Sequence, residues 1–203
     1  MRLPVVAMRA GLAIIAAVAL LGGCTPGTVE TEPMVDAELQ RAYAAAGLDP
    51  CPAAPPTEPI ADGLPNLTLQ CLGTGSQSTL SGLSKGRPMV INLWAQWCGP
   101  CREEAPFLAA VSQKTVGTVD FLGIDTADPQ PERAIEFAKL AGWTYPQLVD
   151  PEKATSEPPL RVPGLPHTIF VDAQGRVVGS HSGQFTSEAE LDGYLRDLLG
   201  VDG

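Results

Sequence analysis

Uninterrupted apolar runs alternate with amphipathic segments through the second half of the chain. The run 89–94 has five apolar residues around a single Asn, which is typical of a strand buried on both faces. Further apolar runs at 119–124 and 168–172 predict two more strands. Between the strands, the segments 101–114 and 132–141 predict helices. In the second helix, the residues expected to face inward are Ile135, Phe137, Ala138 and Leu140.

The rest of the chain carries weaker patterns of the same kinds. They predict a helix over 37–46, strands over 67–72 and 145–149, and a hairpin from 168–172 into 176–180. A capping box at Ser187 and Glu190 predicts a final helix. The segment 49–59 holds five prolines and 73–86 is rich in turn residues, with Leu80 and Leu83 as its expected anchors. This order of elements predicts an α/β fold with a mixed sheet.

The first 23 residues have the composition of a signal peptide. Arg2 and Arg9 form a positive segment, and the uncharged run 10–23 is shorter than the roughly 18 to 20 residues that a membrane span needs. The run ends in Leu-Gly-Gly-Cys, which resembles a bacterial lipobox and predicts cleavage before Cys24 and acylation of that cysteine. Ordinary secretion, or an uncleaved anchor with an incidental Cys24, is the alternative.

Either outcome places the folded part outside the cytoplasmic membrane. We therefore divide the chain into a signal peptide at 1–23, a lipid-anchored tether and N-terminal extension at 24–63, and a folded domain at 64–203.

The net charge of the chain limits the classes of molecule expected to bind it. The chain has 13 Lys and Arg residues against 23 Asp and Glu residues, a formal charge of −10. Loss of residues 1–23 removes two Arg and no acid, which leaves 11 basic against 23 acidic residues and a charge of −12. Because such a surface repels phosphates, nucleic acid is not expected as a partner.

Five cysteines constrain the chemistry further. Without Cys24, an even number is left for an oxidising compartment, and four cysteines allow three connectivities. If Cys98 pairs with Cys101, Cys51 pairs with Cys71 and closes a loop of roughly twenty residues, worth on the order of 3 kcal/mol. We expect this second pair to be structural, with a catalytic or metal-binding role as the alternative.

Cys98 and Cys101 occupy the junction between a predicted strand and a predicted helix. Cys98 would lie just ahead of a helix N-terminus, where unpaired N–H groups and the macrodipole favour a thiolate. Cys101 could then resolve the mixed disulfide, so the spacing predicts reversible thiol–disulfide exchange. A structural bridge or a metal site is the alternative, but zinc normally takes four ligands, and the chain has only two histidines, His167 and His181. No metal site is predicted.

Glu104 is the candidate proton carrier of this site. It follows Cys101 by three residues, so both lie on one face of the predicted helix, whereas Glu103 points elsewhere. A carboxylate close to a buried thiol can transfer its proton, especially if burial raises the pKa of the carboxyl. The alternative is a solvent-exposed helix acid.

Two motifs carry a resemblance to a known family. The first is Asn-Leu-Trp-Ala-Gln-Trp-Cys-Gly-Pro-Cys-Arg-Glu-Glu-Ala-Pro at 92–106, and the second is Gly-Leu-Pro-His-Thr-Ile-Phe-Val-Asp at 164–172. With them the chain, from about residue 64 to 200, resembles the TlpA/ResA-like branch of secreted thioredoxin-fold proteins. The resemblance implies a thioredoxin fold, in which helices flank a mixed central sheet, with an N-terminal extension and an inserted helix at 132–141.

The resemblance also implies roles for single residues. It associates Glu104 with the active site, and it places the neutral Asn92 where cytoplasmic thioredoxins have a buried acid, so Glu104 is the remaining candidate for the proton carrier. It implies a cis peptide bond before Pro166, which would face the disulfide and present the Leu165 backbone to an extended substrate. An ordinary trans turn proline is the alternative. Trp97, beside the first cysteine, is expected in the docking surface.

These observations predict an extracytoplasmic thiol–disulfide oxidoreductase whose redox group is the Cys98–Cys101 couple, with no other cofactor. The resemblance implies a CcdA/DsbD-like membrane thiol transporter as electron donor. It implies the CxxC haem-attachment sites of apocytochromes c, or other oxidised exported proteins, as clients. The Gly-Pro dipeptide matches thioredoxin, whose potential of about −270 mV is reducing, so we expect a reductase. The alternatives are an oxidase that forms disulfides, a non-catalytic binding lipoprotein, and a peroxidase on the same fold.

Overall fold

A mixed β-sheet is the scaffold of the protein. The computed structural model describes residues 37–83 and 86–202, so the predicted signal peptide, Cys24 and the first part of the tether lie outside the described residues. The strands of the described part are β1 (Thr68–Cys71), β2 (Gln77–Thr79), β3 (Met89–Trp94), β4 (Asp120–Thr126), β5 (Gln147–Asp150), β6 (His167–Val171) and β7 (Val177–Ser182).

The strands lie in the order β2-β1-β5-β4-β3-β6-β7. β3, β4 and β5 run parallel to one another, and every other adjacent pair of strands is antiparallel. β3 therefore lies between a parallel and an antiparallel neighbour, and all six of its residues are buried, as its apolar sequence predicts. Because β6 runs against β3, the start of β6 and the end of β3 meet at one edge of the sheet.

Four α-helices accompany the sheet in the described part. They are α1 (Ala37–Ala45), α2 (Gly99–Lys114), α3 (Pro131–Leu140) and α4 (Glu188–Tyr194), and α4 continues into a π-helical turn, Leu195–Leu199. α2 packs against α4, and α1 packs against α3. A mixed sheet with these flanking helices, including the inserted helix α3, confirms the predicted thioredoxin fold. Within the described ranges, no helix combines the length and apolar character needed to cross a membrane.

A buried amide on β5 reaches across β4 to a side chain of β3. Gln147 of β5 accepts the indole N–H of Trp94 at 2.9 Å and donates to the Tyr145 carbonyl at 3.1 Å. The neighbouring residue on β4 is Gly123, and a Cβ there would overlap the Gln147 amide. The glycine therefore leaves the space in which the amide fixes the Trp94 side chain.

The structure departs from the predicted boundaries in two informative places. α2 begins at Gly99 rather than at 101, because Cys98 is its N-cap and Pro100 fits the first turn, where no N–H is needed. The segment 73–86 contains strand β2, which pairs with β1, in addition to the predicted turns. Leu80 and Leu83 in the same segment are buried, as predicted.

The prediction that Leu140 faces the core is wrong, since this side chain is 75% exposed. The buried face of α3 includes Ala134, Ile135 and Ala138. Leu140 follows Ile135 by five residues, which places it about 140° away around the helix.

Candidate active site

The predicted redox pair lies at the N-terminus of α2. Cys98 and Cys101 form a disulfide with a Cα–Cα distance of 5.3 Å. Cys98 is the N-cap residue, and its Sγ accepts the backbone N–H of Cys101 at 3.2 Å. In the reduced protein, that N–H and the positive end of a 16-residue helix would stabilise a thiolate on Cys98 more than on Cys101.

Glu104 is fully buried in the following part of α2. Its Oε2 accepts the backbone N–H of Phe185 at 3.1 Å, and its Oε1 accepts Nδ2 of Asn92 at 2.9 Å. Burial raises the pKa of the Glu104 carboxyl to about 7, although these two hydrogen bonds oppose the shift. The carboxyl can therefore both accept and release a proton near neutral pH.

Asn92 of β3 is the side-chain partner of this carboxyl. Its Nδ2 also lies 3.4 Å from the Thr168 hydroxyl, whereas its Oδ1 is buried without a hydrogen-bond partner. An amide has donors on one side and an acceptor on the other, so a rotated Asn92 could accept from a protonated Glu104. Among the described residues, no ion pair involves Glu104. The partners of Glu104 are thus neutral groups that can form hydrogen bonds with either protonation state of its carboxyl.

Trp97 is the exposed residue of the site. Its side chain is 56% exposed, and its indole N–H donates to the Ala127 carbonyl at 3.2 Å. The preceding residue, Gln96, donates its backbone N–H to the Asp128 carboxylate at 3.0 Å. The loop after β4 therefore holds the segment that leads into Cys98.

Leu165 and Pro166 come directly before β6, and the peptide bond between them is cis, as predicted. The first residue of β6, His167, pairs with Leu93 near the end of β3. The topology thus brings the cis-proline turn to the sheet edge from which the chain continues into Cys98. The Pro166 carbonyl accepts the backbone N–H of Gly183 at 3.0 Å, which ties the turn to the end of β7.

The second predicted disulfide is also present. Cys51 and Cys71 are 20 residues apart in sequence and are bonded, with a Cα–Cα distance of 5.8 Å. Cys71 ends β1, which is separated from β3 by β5 and β4. The bridge therefore attaches the proline-rich segment to the sheet at a distance of three strands from the Cys98–Cys101 pair.

Asp125, which we did not predict as a site residue, lies close to this region. It lies on β4 beside Trp94 and is 2% exposed. Burial, followed by the nearby Asp128 carboxyl, raises the pKa of Asp125 to about 8. The predicted strand ends at 124, one residue before Asp125. An acid directly after an apolar strand with a second acid three residues later is the signal that could have identified it.

A groove in the described part lies away from the disulfide. It has a volume of about 470 Å³, and its walls include Met89 and Asp120, the first residues of β3 and β4. The disulfide lies beyond the opposite ends of the same strands. Within the described ranges, no cluster of three or more His, Cys, Asp or Glu side chains could hold a metal ion.

Comparison with known proteins adds an independent line of evidence. A family model described as Redoxin matches residues 59–198. The chain is 31% identical to the thiol:disulfide interchange protein DsbE of Pasteurella multocida over 129 residues, which cover 64% of this chain and 69% of the relative. It is 31% identical to the thiol:disulfide interchange protein HelX of Rhodobacter capsulatus over 138 residues, which cover 68% of this chain and 76% of the relative.

A solved structure resembles the fold. It is that of a secreted Mycobacterium tuberculosis disulfide oxidoreductase homologous to E. coli DsbE. The match has a TM-score of 0.57 and 25% identity, and it covers 66% of this chain and 96% of the other. Secretion and disulfide chemistry are thus properties of a protein with the same architecture.

Proposed function

Since the chain belongs to the Redoxin family and is a thiol–disulfide oxidoreductase, we propose that it works as a lipid-anchored reductase outside the cytoplasmic membrane. Its catalytic residues are Cys98, Cys101 and Glu104, and Trp97, Leu165 and Pro166 form the docking surface for a protein substrate. No further cofactor takes part.

The observation that carries this proposal is the position of Glu104. It lies three residues after Cys101 on α2 and hence on the same face of the helix. Its carboxyl is buried without a cation among the described residues, and its pKa is raised to about 7 by that burial. A carboxyl in this state is suited to exchange a proton with a neighbouring thiol at neutral pH.

The first step is attack by Cys98. Its thiolate attacks one sulfur of a substrate disulfide, the substrate S–S bond breaks, and the displaced substrate thiolate takes up a proton. A mixed disulfide between Cys98 and the substrate results. The helix N-terminus favours this step because it stabilises the attacking thiolate.

The second step releases the substrate. The Cys101 thiol transfers its proton to the Glu104 carboxylate and attacks Cys98 Sγ, which forms the internal disulfide and expels the second substrate thiolate. The substrate gains two electrons and two protons, and the enzyme loses two electrons. Electrons return from a dithiol of a CcdA/DsbD-like membrane protein by the same exchange in the opposite direction.

The proposed location and clients have support of different kinds. The Cys51–Cys71 disulfide is typical of a protein outside the cytoplasm, and acylation of Cys24 would hold the domain at the membrane. The proposed clients are exported proteins with a disulfide, including the CxxC haem-attachment sites of apocytochromes c. Labelling with palmitate tests the anchor: label should enter the wild-type chain and be lost in Cys24→Ser.

Reduction of insulin by dithiothreitol tests the enzymatic function. The wild-type protein should accelerate the reaction, and Cys98→Ser should abolish the acceleration, whereas Cys51→Ser with Cys71→Ser is the matched control for loss of a disulfide away from the site. Cys101→Ser should accumulate mixed disulfides with clients in cells. Full turnover by the Cys98→Ser variant would favour a non-catalytic binding protein.

The potential of the couple tests the direction of electron flow. Equilibration of Cys98–Cys101 with a glutathione buffer should give a value close to that of thioredoxin, about −270 mV. A value near that of a strong oxidant, about −120 mV, would instead assign the protein to disulfide formation.

A further inference from the structure

The backbone N–H that binds the Glu104 carboxyl belongs to a residue of a buried aromatic cluster. The donor is Phe185, in the loop between β7 and α4, and its side chain is fully buried. The His181 imidazole of β7 is stacked on the Phe185 ring, with 4.5 Å between the ring centroids and 20° between the planes. Tyr194 of α4 packs edge-on against both rings, with centroid distances of 5.1 Å to His181 and 5.8 Å to Phe185. The packing of the Phe185 side chain therefore helps to place its backbone N–H.

One hydrogen bond and one flat contact fix the His181 ring. Its Nδ1 lies 3.0 Å from the Tyr194 hydroxyl. Its Nε2 is buried and has no hydrogen-bond partner in the described part of the chain. Stacked aromatic rings attract one another beyond the area that they bury, so the contact restrains Phe185 as well as His181.

The strand pairing places His181 on the face of the sheet that carries the Glu104 site. His181 is the register partner of Thr168 on β6, so the two side chains lie on one face. The Thr168 hydroxyl lies 3.4 Å from Nδ2 of Asn92, and the same Nδ2 donates to Glu104 at 2.9 Å. His181 thus contacts one donor to Glu104, Phe185, directly, and it adjoins the other, Asn92, through Thr168.

We propose that His181 is a positioning residue, which stacks on Phe185 and thereby holds the Phe185 N–H on the Glu104 carboxylate. If Phe185 were loosened, Asn92 would remain as the only described donor to the ionised carboxyl, and the protonated form would be favoured. Less carboxylate would then be available at neutral pH to accept the Cys101 proton. The inference rests on the proton-carrier role proposed above for Glu104.

The direction of the effect follows from this hydrogen bond. Burial raises the pKa of Glu104 to about 7, and the Phe185 N–H is the first of the two hydrogen bonds that oppose the shift. Loss of the whole bond should therefore raise the pKa further, by up to about one pH unit. The titratable neighbour Tyr145 stays neutral in this range, because burial and then the Glu104 charge raise its pKa well above the ordinary value.

Titration of the oxidised protein by NMR tests the inference without turnover. The carbon-13 signal of the Glu104 carboxyl, assigned by its loss in Glu104→Gln, should titrate near pH 7 in the wild type. In His181→Leu, which has a similar volume but no flat face, the midpoint should be higher. The Phe185 amide should also exchange with solvent several-fold faster in this variant. His181→Phe keeps a ring on Phe185 and carries no charge, so it should retain both wild-type values.

Phe170→Leu is the matched control. The Phe170 ring is fully buried and stacks on Tyr194 at 5.2 Å, so this variant also removes a stacked ring next to Tyr194. It should leave the Glu104 midpoint and the Phe185 exchange rate unchanged. A wild-type midpoint in His181→Leu, or an equal shift in His181→Phe, would overturn the inference.

The pH dependence of insulin reduction separates this inference from the proposed function. If both hold, His181→Leu should move the Glu104-dependent part of the pH–rate profile by the same amount as the NMR midpoint. An NMR midpoint that rises while the pH–rate profile stays unchanged would support the positioning of Glu104 by His181 and contradict the proton-carrier role of Glu104.

Discussion

Replacing Glu104 by Gln should stabilise the oxidised protein at neutral pH. Burial raises the pKa of the wild-type carboxyl from 4.5 to about 7, although the hydrogen bonds from the Asn92 amide and the Phe185 backbone N–H oppose the shift. Burial therefore favours the protonated form, and ionisation opposes folding. A glutamine has the same shape and never ionises; rotation of Asn92 would bring its unpartnered Oδ1 to the new amide.

The magnitude follows from linkage. A group whose pKa is raised on folding contributes most to stability below its unfolded pKa, and the contribution is lost as the pH rises through the folded pKa. The free energy of unfolding of the wild type should thus fall, relative to Glu104→Gln, by about 1.4 kcal/mol per pH unit between pH 4.5 and 7. The full difference, reached above pH 7, is about 3 kcal/mol.

Urea unfolding of both oxidised proteins at pH values from 4 to 8 measures this difference. Oxidised protein is used because the active-site cysteines then do not titrate, and the other acids, Asp125 included, cancel between wild type and variant. Glu103→Gln is the matched control: it lies on the same helix but is exposed, and its stability relative to wild type should not change with pH in this way. A stability difference for Glu104→Gln that is constant from pH 5 to 8 would refute the reasoning.

Two further predictions concern the scaffold. Gly123→Ala should destabilise the protein by about 1–3 kcal/mol in urea unfolding, because the new Cβ overlaps the buried Gln147 amide. Gly193, by contrast, lies in a helix, and a Cβ added there would meet only one side-chain atom, at 4.0 Å. Gly193→Ala should therefore stabilise the protein by about 0.5–1 kcal/mol. Equal changes in stability for the two variants would contradict this argument. Replacing both Cys51 and Cys71 by Ser should lower the unfolding free energy by about 3 kcal/mol, as expected for a closed loop of this length. Unchanged urea midpoints would show that the bridge adds nothing to stability.

The sequence predicted the centre of the site because its signals are local. The strand, the CxxC motif and the helix follow one another directly along the chain, and Glu104 comes three residues after Cys101. Periodicity alone therefore places them together. Asn92 and the cis bond before Pro166 followed from resemblance to a family. Leu140 was misplaced because a short helix offers too few residues to define its buried face.

Asp125 could not be recognised in this way, because its state depends on tertiary contacts. An acid at the end of an apolar run normally marks the start of a loop, since an isolated charge is costly to bury. Only the fold buries Asp125 and brings the Asp128 carboxyl near it, and burial above all raises the pKa of Asp125 to about 8. The role of Gln147 was equally hidden, because its partner Trp94 lies on a strand that is not adjacent to it.

The stability argument itself separates a functional Glu104 from a structural one. A buried carboxylate that served the fold would have a cation partner, as buried charges normally do. The hydrogen-bond partners of Glu104 are instead the Asn92 amide and the Phe185 N–H. At pH 7 and above it lowers stability by about 3 kcal/mol relative to a glutamine that could keep equivalent hydrogen bonds. A residue that is destabilising for the fold, in a position where a neutral side chain fits, is expected where the proton itself is needed. We infer that the titrating proton of Glu104, rather than any contact it makes, is the reason for a carboxyl at this position.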